Sequence, residues 1–108
     1  MAGSGSFDFE IKDRSKEKTR EATKTPSFYV VVVHNDPVTP RSFVVEVLKK
    51  YFNKRDTEAT RIMLLAHNYG IGVVEKYTRD IAETKARQCN QYARTAGYPL
   101  LFSTERED

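Results

Sequence analysis

The stretch from Ser27 to His34, S-F-Y-V-V-V-V-H, is an unbroken β-branched and aromatic run. It is too short for an ordinary helix and strongly β-prone, so it predicts a central strand buried at least partly on both faces. The chain then turns at once, through H-N-D-P-V-T-P-R-S-F from His34 to Phe43. Pro40 suits the first position of a helix, where its missing N–H is no loss, and the Thr39 hydroxyl is placed to cap it. Asn35 and Asp36 are left at the rim of whatever the following helices build. That rim is the candidate site.

Past the turn, Phe43, Val44, Val47, Leu48, Tyr51 and Phe52 recur at helical spacing, with Glu46, Lys49 and Lys50 pointing away, and this helix should end near Asn53. Asp56 is a cap for a second helix with an inward stripe of Ala59, Ile62, Met63 and Ala66; His67 lies in its last turn, and Asn68 and Gly70 end it. Gly70 to Tyr77 reads as a strand through Ile71, Val73, Val74 and Tyr77. Thr78 then caps a long third helix marked by Ile81, Lys85, Gln88, Cys89, Tyr92 and Ala93 and stopped by Gly97. Leu100 to Ser103 is a last short strand, and the terminal E-R-E-D should fray. The predicted order is β-α-α-β-α-β. This is an α+β, two-layer sandwich, a three-stranded antiparallel sheet with three helices on one face.

A chain of 108 residues holds one domain with a modest core. Residues 1–25 carry six Lys/Arg and five Asp/Glu among few apolar groups, so they predict a flexible N-terminal extension, with transient helix over Lys16 to Thr23, ahead of a domain at 26–108. The net charge is +3 with both signs interspersed, which argues only weakly for nucleic acid. No apolar run approaches the length a membrane helix needs, and no secretory h-region is visible. One cysteine, Cys89, cannot form an internal disulfide, in keeping with a reducing cytoplasmic setting.

An amide, a carboxylate and an imidazole from Asn35, Asp36 and His67 could therefore meet beside an apolar wall of Val44, Met63 and Leu100. From periodicity alone these three apolar residues read first as plain core, and the cleft wall is the functional alternative. His67 with Cys89 makes a poor nucleophile pair, because the thiol falls on an apolar helix face and no orienting partner is evident. His34, His67 and Asp36 have metal-binding atoms but no supporting spacing, and no cofactor motif occurs. An acceptor set of this kind suits a cation with three donors, such as an α-ammonium, if the imidazole is neutral. The adjoining slot suits the first side chain of a peptide.

At these residues the chain resembles the ClpS family, adaptors of the bacterial Clp protease that recognise N-degrons. The marks are V-V-H-N-D-x-x-T-P (Val32 to Pro40), F-V-x-x-V-L (Phe43 to Leu48), A-T-x-x-M-L-x-x-H (Ala59 to His67), A-E-T-K (Ala82 to Lys85) and Y-P-L-L (Tyr98 to Leu101). The resemblance implies a non-enzymatic adaptor that binds proteins beginning with Leu, Phe, Tyr or Trp and hands them to an unfoldase. It implies that Asn35 and His67, with Asp36 nearby, bond the free α-amino group. Thr39, Pro40, Val44, Met63 and Leu100 would shape the side-chain pocket. Asp80, Glu83 and Lys85 would dock on the N-terminal domain of a ClpA-type or ClpC-type unfoldase, which feeds ClpP. The extension at 1–25 would serve delivery, and the adaptor would act as a monomer without cofactor, nucleic acid or membrane.

Three departures from the family pattern bear on the pocket. Pro37 stands where a second acid is usual, Arg41 where a gating methionine is usual, and Ala66 where a larger aliphatic adjoins His67. Arg41 is expected to swing its charge into solvent, and Ala66 to deepen the slot. Large aromatic first residues should then be tolerated at least as well as Leu. Two other readings compete: a small basic α+β nucleic-acid-binding domain, and a ClpS-like interaction domain that has lost degron binding.

Overall fold

The computed structural model describes residues 27–107. The expected extension at 1–25 and its transient helix lie outside them. Chain order is β1 (Phe28–His34), α1 (Arg41–Phe52), α2 (Asp56–Tyr69), β2 (Ile71–Thr78), α3 (Arg79–Thr95) and β3 (Leu101–Arg106), which is the expected β-α-α-β-α-β. The valine run is the central strand of an antiparallel sheet ordered β2-β1-β3. Val31 and Val33 are fully buried, and with Val74 and Phe102 they face the helices. Among the described residues no helix is long and apolar enough to cross a membrane.

The register explains an irregular apolar pattern in β2. Val31 pairs with Glu75 but Val32 pairs with Val73, so one residue of β2 is extra. Strand side chains alternate, so Val74 and Tyr77, three apart, can both face the helices only across such a bulge. Gly72 is also fixed by packing. A Cβ there would lie 2.8 Å from the Ile62 carbonyl oxygen and 3.3 Å from the Ala66 nitrogen, so a bare α-carbon is what lets α2 lie down on β2.

The first two helices bury the faces expected of them, Phe43, Val44, Val47, Leu48 and Phe52 in α1 and Ala59, Ile62 and Ala66 in α2. Tyr51 and Met63 pack only partly against that core. Asn53 and Gly70 end these helices in the left-handed region, at φ 55° and 91°.

Several details differ from the sequence reading. The inward stripe of α3 is Ala82, Ala86, Cys89 and Ala93, whereas Ile81 is half exposed and Gln88 points outward. Small side chains win there because they let the helix axis come close to the sheet. Thr39, Asp56 and Thr78 are not side-chain caps: the cap positions are Pro40, Arg55 and Thr78, and none makes a side-chain cap bond. Asp56, as the first residue of α2, still favours that helix through its charge. The C-terminal residues do not fray at Glu105 and Arg106, which pair with Val30 and Tyr29, and the Glu107 N–H donates to the Phe28 carbonyl at 2.9 Å. Backbone pairing with β1 extends the strand without needing apolar side chains.

Candidate functional site

The end of β1, the start of α1 and the end of α2 meet around a cavity of about 420 Å³. Its lining includes every residue expected at the rim or wall: Asn35, Asp36, Thr39, Pro40, Arg41, Val44, Met63, Ala66, His67 and Leu100. Val33, His34, Pro37 and Val38 join them. Val38 is 65% exposed at the rim, and an apolar residue inside an otherwise polar turn was the sequence signal for it.

The rim is held by backbone before any side chain acts. As β1 ends, the Asn35 N–H donates to the Gly70 carbonyl at 2.9 Å, while the Gly70 N–H donates to the Ala66 carbonyl at 2.8 Å. The loop carrying Asn35 is thereby tied to the helix end carrying His67. Asp36 folds the next turn. Its carboxylate accepts from the N–H groups of Val38 and Thr39, each at 3.1 Å, and from the Thr39 hydroxyl. The hydroxyl expected to cap α1 is thus engaged one turn earlier. Burial works against the Asp36 charge, but these hydrogen bonds and the nearby Arg94 outweigh it and hold the carboxyl below its ordinary range.

At the mouth, Arg41 Nη2 lies 2.7 Å from His67 Nε2. A guanidinium can only donate, so this bond uses Nε2 as the acceptor. Arg41 is exposed, as expected, yet its charge is not loose in solvent. It rests on the acceptor assigned to the candidate ligand.

The wall is apolar and mostly core-like: Val44, Ala66 and Leu100 are buried, with Met63 half-buried. Helix α3 fixes its far side. Arg94 Nη1 donates to the carbonyls of Tyr98 at 3.0 Å and Leu100 at 2.6 Å, and the Asn90 amide bonds both backbone groups of Phe102. Neither Arg94 nor Asn90 was visible as a site residue in the sequence, because their partners are backbone atoms beyond the helix.

Elsewhere, Asp80, Glu83 and Lys85 lie in the first half of α3 and do not line the cavity. Glu83 accepts from Arg79 Nε at 3.1 Å. Lys85 is half-buried: its Nζ donates to the Tyr51 carbonyl at 2.8 Å and stands 5.8 and 5.6 Å from the Phe52 and Tyr77 ring centres. Cys89 is fully buried, and burial pushes its thiol up to about 12 although Lys85 opposes the shift. It is no nucleophile at neutral pH. Among the described residues no group of three His, Cys, Asp or Glu side chains could hold a metal ion.

The cavity therefore gathers an imidazole, a carboxylate and an apolar slot within one small volume, with Arg41 standing on the imidazole. That combination suits a ligand with a positive nitrogen next to a hydrophobic group.

Comparison with known proteins points the same way. A family model described as ATP-dependent Clp protease adaptor protein ClpS matches residues 24–103. Over 99 residues the chain is 43% identical to ATP-dependent Clp protease adapter protein ClpS 1 of Rhodopseudomonas palustris, covering 92% of this chain and 96% of that one. It is 44% identical over 99 residues to adapter protein ClpS 2 of Mesorhizobium japonicum, covering 92% and 98%. The solved structure of Agrobacterium tumefaciens ClpS2 bound to L-phenylalaninamide superposes with a TM-score of 0.76 at 44% identity, covering 77% of this chain and all (100%) of that one.

Proposed function

We infer the function from kinship and cavity together: the chain belongs to the ClpS family of ATP-dependent Clp protease adaptors. It is an adaptor that binds N-degron proteins by a free α-amino group and a large hydrophobic first residue, and delivers them to a Clp AAA+ unfoldase for degradation. The observation that carries this is the cavity itself, where acceptor groups at the rim adjoin buried apolar walls. L-phenylalaninamide, the ligand of the Agrobacterium relative, has the matching chemistry, a free α-amino group beside a benzyl side chain.

Residue roles follow from position. Asn35 and His67 Nε2 accept the ammonium protons. Asp36, whose oxygens already hold the turn, adds negative charge more than a direct bond. Thr39, Pro40, Arg41, Val44, Met63, Ala66 and Leu100 enclose the first side chain. Asp80, Glu83 and Lys85 form the face that docks on the N-terminal domain of a ClpA-type or ClpC-type unfoldase, with ClpP engaged indirectly. The extension at 1–25 serves delivery, and the domain at 26–108 binds. The protein acts as a cytoplasmic monomer and carries out no chemistry of its own.

Magnitudes explain why both features are read together. Burying a Leu or Phe side chain contributes roughly 1.5–3 kcal/mol, which association entropy largely offsets. Charge-assisted bonds to the ammonium, roughly 1.5–3 kcal/mol each, supply the remainder and the specificity for a chain end. The test is fluorescence anisotropy with a labelled peptide beginning in Phe, free or N-acetylated. Acetylation should abolish nearly all binding, as should His67→Ala. Equal affinity for the two peptides would reject the assignment.

A further inference from the structure

Resting on that reading, the structure leads us to propose that Arg41 reads the second residue of the captured chain, favouring an acidic side chain there and disfavouring a basic one. The observation behind it is the 2.7 Å bond from the guanidinium to His67 Nε2. This nitrogen is the acceptor the incoming ammonium needs, and two cations cannot share one lone pair. Arg41 must leave Nε2 when a chain end arrives. Its backbone is fixed at the first position of α1, so the freed guanidinium stays at the mouth of the cavity.

What it meets there follows from chain geometry. The second α-carbon lies within roughly 5 Å of the ammonium, being one N–Cα bond and one Cα–Cα step away. With the first side chain in the slot, the second residue leaves through the mouth, beside the displaced charge. The other charges around this mouth are committed. Asp36 is bonded into its turn, and Arg94 is turned to the carbonyls of Tyr98 and Leu100. Arg41 is left as the charge without a fixed partner once the ligand is in place. An acidic second residue gives it one, and a basic second residue adds a third cation to the ammonium and the guanidinium.

The experiment compares peptides Phe-Asp, Phe-Ser and Phe-Lys at positions one and two, otherwise identical, by anisotropy at low and high salt. The wild-type protein should prefer Phe-Asp over Phe-Lys by about fivefold at low salt, the scale of an exposed ion pair, and salt should shrink the ratio. Arg41→Gln should bring the ratio near one, and Arg41→Lys should keep most of it. A wild-type ratio near one, or an unchanged ratio in Arg41→Gln, overturns the proposal while leaving the adaptor reading in place. Failure of every Phe-first peptide to bind overturns both.

Discussion

Asn90 holds Phe102 by both of its backbone polar groups, Nδ2 donating to the carbonyl at 2.9 Å and Oδ1 accepting from the N–H at 2.7 Å. Phe102 lies on an edge strand, and this amide gives its backbone groups partners that no further strand supplies. Asn90→Ala should therefore destabilise the fold by about 1–3 kcal/mol, the cost of stranding partly buried polar groups. It should also weaken Phe-first peptides, because Leu100 of the cavity wall is two residues away. Urea denaturation checks the first effect, and a variant within about 0.5 kcal/mol of the parent would contradict it.

Gly72→Ala is expected to act at a distance from its own strand. The added methyl would press on the Ile62 carbonyl oxygen, 2.8 Å away, and backbone cannot swing aside as a side-chain tip can. Helix α2 must shift, and it carries Met63, Ala66 and His67. A stability loss of about 1–3 kcal/mol should accompany weaker peptide capture. Parent-like values in thermal melts and anisotropy would refute the close approach.

Lys85 and Glu83 share the proposed docking face but should behave differently when removed. Lys85 donates to a carbonyl in the last turn of α1, where a cation is favourable, and lies near two aromatic rings. Lys85→Ala should cost about 1 kcal/mol of stability together with unfoldase binding. Glu83 is exposed in a pair with Arg79, so Glu83→Ala should lose docking with stability changed by no more than about 0.5 kcal/mol. Pull-down on an unfoldase N-terminal domain, paired with melts, separates the two; equal stability would show that the Lys85 contacts contribute nothing.

Acid should loosen the Asp36 turn. Folding lowers this carboxyl's pKa, so the folded state favours the ionised form. The stabilisation is complete above the unfolded chain's value and is lost as pH falls through the folded one, a window below about pH 4. Asp36→Asn should be less stable than the parent at pH 7, and the gap should close in that acidic window. A gap independent of pH would mean the charge plays no part.

The parts of this molecule that were legible from sequence were those written in local order. The valine run gave its strand, and the N-D-x-x-T-P turn placed the rim, because both depend on near neighbours. On α3 the expected Cys89 and Ala93 do face inward, but Ala82 and Ala86 went unnoticed because they carry little hydrophobic weight, while Ile81, which does, is half exposed. The Arg41–His67 bond joins residues 26 apart through a long, flexible side chain, so no periodicity could announce it. The length of β3 was also hidden, since Glu105 and Arg106 look like a polar tail until β1 supplies a partner.

The bond from the Asn35 N–H to the Gly70 carbonyl makes a clasp out of main-chain atoms alone. Side chains of the apolar wall, Val44, Met63 and Leu100, can therefore be exchanged while this clasp still spaces the two sides of the rim. A protein engineer could re-line this receptacle for bulkier or slimmer residues and keep its grip on a chain's beginning.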